Sequence, residues 1–515
     1  MPSLPVLHAL APDSPQLHQV PATSSPRRRL RRPRILLVTP ELGSSAFLSR
    51  SGRSSPCIKA GGLADACALM LDSFSDAGAD VHIALPHFRR VSPPGGVWRQ
   101  VHFCHDREFF YRRSVYEGCP ESNVRAALAF QRDVIHYVLP RVRPDIVHCH
   151  DWMTGLVPAA ARAMDIPSVF TVHNLHDHAT TLAHAEDRGI DAAKFWNHLY
   201  YQHYPSTYES ARESDAFSML ASGILAADRM CTVSGSFLNE LAEGRHGATW
   251  PVIDAVRGKL AAGHASGILN ALPADATPSR DAHLPHRFDA KSHVAGKRAN
   301  KLALQRELGL EEDAEAPLLF WPSRLDPVQK GCRLLSDILY QLVNDYWGFG
   351  LQIVFVGDGP FEAYFKGIVE FHGLERRVAM VNFDERLSRL GYAGSDFTLM
   401  PSAYEPCGLS QMMALRYGSL PIVHATGGLK DTVRPLKGDA GNGFPFEVHD
   451  SHGLRWAIDQ AMRFHLRPDE ERWATLSRIM KEADAAFQPQ RMVDAHRDLY
   501  AGILAEGATG WLKRD

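Results

Sequence analysis

Leu318-Leu-Phe-Trp321, Leu351-Gln-Ile-Val-Phe-Val356, Val378-Ala-Met-Val-Asn382, Phe397-Thr-Leu-Met400 and Leu420-Pro-Ile-Val-His424 are short apolar runs, each followed by a helical or turn segment. The first half has the same rhythm in Arg34-Ile-Leu-Leu-Val-Thr39, Val81-His-Ile-Ala-Leu85, Asp145-Ile-Val-His-Cys149 and Ser168-Val-Phe-Thr-Val172. This spacing predicts βαβ units, and hence an α/β protein built from two parallel, doubly wound, Rossmann-like sheets. Ligands of such sheets sit at the carboxyl ends of the strands, so the chemistry is expected in the loops that follow them.

The 515 residues exceed what one core usually accommodates, which also points to two domains. Residues 271–297 are rich in Pro and His without periodicity, a linker composition, and the hinge is expected there. The expected division is 34–275, 276–485, and a helical segment over 486–515 that packs back toward the first domain. Residues 1–33 read as a disordered tail, rich in Pro and Ser and ending in Arg27-Arg28-Arg29 and Arg31-Arg32. An Arg-rich, acid-poor leader also fits a targeting segment, although prolines at 2, 5, 12, 15, 21 and 26 oppose an amphipathic helix.

A formal net charge of −2 excludes a whole-protein electrostatic bias toward nucleic acid, so any anionic ligand must be held locally. The longest apolar runs are strand-sized, far short of the roughly 20 residues of a membrane span. The eight cysteines include no CxxC pair, which fits reduced thiols and a cytoplasmic location.

Five constellations carry candidate chemistry. Lys59-Ala-Gly-Gly-Leu-Ala-Asp65 precedes a helical run; its glycines let backbone N–H groups approach an anion, and a turn that needs positive φ fits equally. His148-Cys-His-Asp-Trp152 and His173-Asn174 end successive strands, so the three histidines are open to a zinc reading. A polar rim in which Asp151 and His173 meet sugar hydroxyls is preferred. In Ser323-Arg-Leu-Asp-Pro-Val-Gln-Lys-Gly331, Arg324 and Lys330 either converge on one anion or are solvated surface cations. Glu405-Pro-Cys-Gly-Leu-Ser-Gln411 fixes an acid in a braced loop, to act on a polyol and oppose developing positive charge, or to serve as a helix cap. Ala425-Thr-Gly-Gly-Leu429 repeats the glycine-pair logic.

In their order and placement these motifs resemble the glycogen and starch synthase family. The resemblance runs through Lys59 to Asp65, Pro144 to Pro158, Phe170 to Leu175, Gly267 to Asn270, Gly296 to Leu310, Ser323 to Gly331, Gly357 to Gly359, Met400 to Gln411 and Arg416 to Val433. It implies the two-domain GT-B fold and a retaining transfer of glucose from ADP-glucose or UDP-glucose to the non-reducing end of an α-1,4-glucan, ADP-glucose being favoured by likeness to the bacterial branch. It further implies that Lys59, Arg324 and Lys330 neutralise the diphosphate, that Glu405 holds the donor glucose, and that Asp151 and His173 line the sugar. Gly61, Gly62, Asp65, Cys407, Gly408, Leu409, Thr426 and Gly427 complete the implied donor site. Three cations suffice for a diphosphate, so neither metal nor cofactor is expected. The departures cluster on the acceptor side: Leu175-His-Asp-His178 stands where the family carries an aromatic and Gly-containing loop, and Ala271-Leu-Pro273 replaces Gly-Ile-Asp. A related transferase with another acceptor, or a catalytically silent glucan-binding protein, are the alternatives.

Overall fold

The computed structural model describes residues 33–50, 55–89, 98–213 and 215–511, so the tail reading of residues 1–33 lies outside them except for Pro33. In chain order the strands are β1 (Arg34–Val38), β2 (Asp80–Pro86), β3 (Val101–Cys104), β4 (Ile146–His150) and β5 (Ser168–Val172), then β6 (Ala179–Thr180), β7 (Tyr200–Tyr201), β8 (Phe217–Ser218), β9 (Arg229–Thr232) and β10 (Ala265–Gly267). The second half supplies β11 (Leu318–Trp321), β12 (Gln352–Val356), β13 (Val378–Val381), β14 (Phe397–Met400), β15 (Leu420–His424) and β16 (Phe444–Phe446). One sheet has the order β10-β9-β5-β4-β1-β2-β3 and another β13-β12-β11-β14-β15-β16, with every pair in both parallel. Short strands β6, β8 and β7 form a small antiparallel sheet beside the first.

Helices cover both faces of such a sheet, so its central strands are buried throughout: β4, β5 and β12 expose no residue, and the polar side chains within them, such as His148 and Thr171, are buried and bonded to one another. The strands that pattern reading overlooks are β3, β9, β10, β16 and those of the small sheet. They span two to four residues and mix in polar or small side chains, as in Ala265-Ser-Gly267, so only pairing to a neighbour makes them strands.

The Pro- and His-rich stretch is a packed loop, contrary to its linker composition. Leu272, Ala276, Leu284 and Phe288 are buried in the second core, and a helix begins at His293. The chain crosses between the halves here and again near Phe487, and one side chain ties the two crossings. Arg416 is 2% exposed and donates from Nη1 to the carbonyls of Pro273 (2.9 Å) and Ala276 (3.2 Å) and from Nη2 to that of Phe487 (3.2 Å). The final helix, Pro489–Trp511, lays Met492, Val493, Tyr500 and Ile503 into the first core. Tyr500 Oη lies 2.7 Å from His148 Nδ1, and its ring packs on Phe74.

Replacing Arg416 by Met keeps most of the bulk but removes a charged donor from three carbonyls; those of Pro273 and Phe487 keep the N–H groups of Ala276 and Leu272, whereas that of Ala276 is left without a donor among the described residues. Arg416→Met is expected to lower the unfolding free energy by roughly 3 kcal/mol, read from chemical denaturation; an unchanged transition would show that the crossings do not depend on it.

Candidate functional site

The loops that end the central strands hold the candidate residues. After β11 come Arg324 and Lys330, and after β14 comes Glu405. Lys330 Nζ donates to Glu405 Oε2 at 2.6 Å, and the Ser402 hydroxyl donates to the same oxygen at 3.0 Å. Both side chains of the ion pair are about nine-tenths buried, at 11% exposure each. Backbone bonds clamp the loops together: Ala403 N–H donates to the Gln329 carbonyl at 2.8 Å. Gly331, at φ +72°, lies so close to Pro401 that an added Cβ would come within 2.0 Å of its carbonyl oxygen. Arg324 is exposed, and among the described residues its one side-chain hydrogen bond is a long one, 3.4 Å to Gln329 Oε1.

In the segment after Glu405, the carbonyls of Cys407 and Gly408 accept from Gln411 Nε2, at 3.0 and 2.8 Å. The N–H groups of Cys407, Gly408 and Leu409 have no acceptor among the described residues. Complete burial pushes the Cys407 thiol up to about 12, so it is no thiolate at neutral pH. From the first half, Gly62 faces this segment, and a Cβ there would lie 4.0 Å from Leu409 Cδ1.

The glycine-pair readings need correction in two places. The N–H groups of Ala60 and Gly61 are not left for an external anion; both donate to Glu41 Oε2, at 2.8 and 2.9 Å. Neither Gly61 nor Gly62 has positive φ, so the turn reading fails too. A Cβ on Gly61 would meet nothing within 4 Å, so the pair leaves open space instead. Lys59 is not a free cation, since it pairs with Asp65 Oδ2 at 2.9 Å across the first turn of the helix Gly62–Asp76.

Thr426 and Gly427, expected at the donor, are likewise already engaged. Gly427 N–H donates to both oxygens of Glu240 at 3.0 Å, and the Thr426 hydroxyl donates to Glu240 Oε2 at 3.1 Å. Glu240 comes from the helix Gly235–Ala242 that follows β9, in the other half of the molecule. Neither Glu41 nor Glu240 was singled out from the sequence. Their local signals are an acid three residues past the end of β1 and an acid beside Phe237 and Leu241 on the buried face of a helix.

Asp151 is corrected as well: it is fully buried and its carboxylate does not reach the cleft. It accepts from His173 N–H (2.6 Å), from Asn174 N–H (3.4 Å) and from Asn174 Nδ2 (2.6 Å), with its own backbone at φ 59°. Burial pushes its carboxyl up to about 8, against the pull of those N–H groups. Asp151 therefore shapes the turn that carries His173 and Asn174. His173 is half-buried; its Nε2 lies 3.0 Å from His150 Nδ1, and burial lowers its ring to about 3, so it is neutral. Its Nδ1 has no partner among the described residues.

His148 uses both nitrogens, one on Tyr500 and the other on the Thr171 hydroxyl at 2.6 Å, and its ring stacks on His150 at 4.3 Å. The histidines are thus bonded to one another and to hydroxyls, and among the described residues no three His, Cys, Asp or Glu side chains converge as a metal cage. The altered loop 175–178 places His176 at the surface, where burial and the nearby Arg324 charge both lower its ring's proton affinity. Asp177 is consumed locally by Ser218 and the Leu220 N–H.

Known proteins match this arrangement. The family described as starch synthase catalytic domain matches residues 34–250, and that described as glycosyl transferases group 1 matches residues 309–478. The glycogen synthase of Exiguobacterium sibiricum is 32% identical over 463 residues, covering 81% of this chain and 91% of the relative. That of Bacillus subtilis is 31% identical, with 84% and 93% covered. Among solved structures, the catalytic domain of starch synthase IV from Arabidopsis thaliana, bound to ADP and acarbose, superposes with a TM-score of 0.77 at 25% identity, covering 92% of this chain and 100% of that one. Sucrose-phosphate synthase from Thermosynechococcus elongatus, at 18% identity and a TM-score of 0.57, shares the fold. The chain belongs to the glycogen and starch synthase family, and it is a glucosyltransferase that takes glucose from a nucleotide-sugar.

Proposed function

We propose that the donor is ADP-glucose and the acceptor the non-reducing end of an α-1,4-glucan, with Glu405 acting on the glucose and Arg324 and Lys330 on the diphosphate. The observation that carries this reading is the Lys330–Glu405 ion pair, at the ends of adjacent strands β11 and β14 and beside the open N–H groups of residues 407–409. A diphosphate needs cations, and a sugar whose C1–O bond is breaking needs an anion near the ring. Here the two are poised against each other before the donor arrives. Binding of a diphosphate would draw Lys330 away, leaving the Glu405 carboxylate to face the sugar, while the N–H groups of Cys407, Gly408 and Leu409 serve its hydroxyls. Arg324 contributes a cation that no acid neutralises among the described residues. Lys59 can join only by giving up Asp65.

We take the two halves to meet along residues 34–275 and 276–485, with 486–515 returning to the first, and closure of the cleft to exclude water whose attack would waste the donor. His173 Nδ1 and the half-buried Asn174 supply polar groups from the first half. Support for ADP comes from the Arabidopsis starch synthase IV domain, whose structure holds ADP and acarbose. A cytoplasmic location is kept as part of this reading; among the described residues no helix is long and apolar enough to cross a membrane.

Glu405→Ala is expected to lower kcat by about 100-fold or more while leaving ADP affinity nearly intact, because the lost interaction belongs to the transition state. Turnover within about tenfold of wild type would remove Glu405 from this role.

Arg324→Ala and Lys330→Ala should both weaken ADP binding and slow transfer, but only Lys330→Ala leaves a mostly buried carboxylate unpaired. It should therefore cost roughly 3 kcal/mol of stability in denaturation, while Arg324→Ala costs within about 0.5 kcal/mol of nothing. Equal losses from the two variants would mean that the pair is not the structural element described.

With a glucan primer, kcat/KM for ADP-glucose is expected to exceed that for UDP-glucose by about tenfold or more, a difference of about 1.4 kcal/mol in transition-state binding. The reverse preference in a coupled assay of nucleoside diphosphate release would overturn the donor assignment.

A further inference from the structure

Glu240 stands in the first half of the molecule, yet among the described residues every polar partner of its carboxylate beyond its own loop lies in the second half. Its two oxygens share Gly427 N–H at 3.0 Å, and Oε2 also takes the Thr426 hydroxyl at 3.1 Å and His246 Nε2 at 2.8 Å. The carboxylate and its partners are shielded from water, with Glu240 6% and Thr426 2% exposed. Burial alone would push the Glu240 carboxyl up, but His246, Gly427 N–H and the Thr426 hydroxyl together hold it below the ordinary glutamate range. It is therefore an anion at neutral pH, and its charge-assisted bonds are of the strong kind.

The turn that Glu240 grips lies directly under Glu405. Gly428 N–H donates to the Glu405 carbonyl at 3.0 Å. A Cβ added to Gly427, at φ +46°, would come within 2.1 Å of that same carbonyl oxygen, and one added to Gly428 within 1.9 Å of the Cys407 oxygen. Backbone is thus pressed on backbone, so a shift of residues 426–428 is passed on to residues 405–407. His246 adds a second link, with its ring 5.6 Å from that of Tyr404, the neighbour of Glu405 in the chain.

We infer that Glu240, braced by His246, is a positioning residue for transfer: from across the molecule it holds the Thr426–Gly428 turn and, through it, sets the place of Glu405 and the open N–H groups behind it. The inference rests on the reading of Glu405 as the group that acts on the donor glucose. Without Glu240, the Gly427 N–H and Thr426 hydroxyl become buried donors with no acceptor, and the turn gains freedom to move in search of one. A displacement of about 1 Å at a reacting group is enough to cost on the order of a hundredfold in rate. Arg324 and Lys330 sit on the loop after β11, which Glu240 does not touch; Lys330 meets Glu405 only through its ammonium, the group that a bound diphosphate would draw away, so the diphosphate end depends less on the turn than Glu405 does.

A neighbouring contact separates this role from simple docking of the two helices. On the same helix as Glu240, the Ser236 hydroxyl and N–H bond to Asp431, at 2.5 and 3.1 Å, at the far end of the helix Gly427–Thr432. Ser236→Ala loosens that helix pair without touching the turn.

The test measures kcat, KM for the nucleotide-sugar, the dissociation constant of ADP and the melting midpoint for wild type, Glu240→Ala, Glu240→Gln, Ser236→Ala and Glu405→Ala. Glu240→Ala is expected to lower kcat by about tenfold or more with ADP affinity changed by less than about threefold. Glu240→Gln keeps one oxygen for Gly427 N–H and should recover part of the loss; if the alanine variant does not fold, the same kcat-only loss in Glu240→Gln carries the test. Ser236→Ala should stay within about threefold of wild type. The inference is overturned if both Glu240 variants turn over at the wild-type rate, if their ADP affinity falls in step with kcat, or if Ser236→Ala loses as much as Glu240→Ala. Glu405→Ala is read separately: if it retains turnover, the reading of Glu405 falls, whereas an inactive Glu405→Ala beside a fully active Glu240→Ala removes the positioning role alone.

Discussion

Every strand of both large sheets runs in the same direction as its neighbours, and that parallelism places the functional residues. A parallel sheet has one carboxyl edge, where its strands release their loops. Here the loops after β1 and β9 meet those after β14 and β15: Gly62 faces Leu409, Glu240 holds Gly427, and the His246 ring packs tilted against that of Tyr404. The two edges touch there, and residues more than 150 positions apart in the chain become neighbours, as Glu240 and Gly427 do, 187 positions apart. Arg416 secures the arrangement by bonding to both chain crossings between the halves.

A second regularity lies in the buried acids. Glu41, Asp151 and Glu240 are each below one-tenth exposed, and each takes backbone N–H groups of a loop at the carboxyl edge. A buried carboxylate without partners would be prohibitively costly, whereas one that accepts several N–H groups fixes the backbone that presents them. The three acids stand where the sequence invites reading them, or the amides they occupy, as ligand contacts. What each is seen to do is hold a loop. Glu405 differs: its carboxylate is met by the Lys330 ammonium and the Ser402 hydroxyl, side-chain donors rather than backbone N–H groups.

The loop of residues 175–178 follows another logic. Within residues 175–178, Asp177 is tied to Ser218 and Leu220, and His178 packs edge-on against Trp152 at 4.3 Å. The loop is therefore braced by local polar bonds, which leaves His176 as its exposed group beside Arg324.

The sequence alone determined the α/β class, most of the long buried strands, and the residues Arg324, Lys330 and Glu405 at their ends, because apolar runs and the loop chemistry after them are local signals that neighbours in sequence suffice to read. The short strands β3, β9, β10 and β16, the packed state of residues 271–292, and the partners of Lys59, Asp151, Thr426 and Gly427 were decided by tertiary structure. Ala265-Ser-Gly267 has no strand propensity until β9 pairs with it, and the Gly427 amide can serve a ligand or a side chain equally well until Glu240 arrives from the other half. Which donor meets which acceptor depends on distances between elements far apart in the chain, and no local pattern encodes those distances.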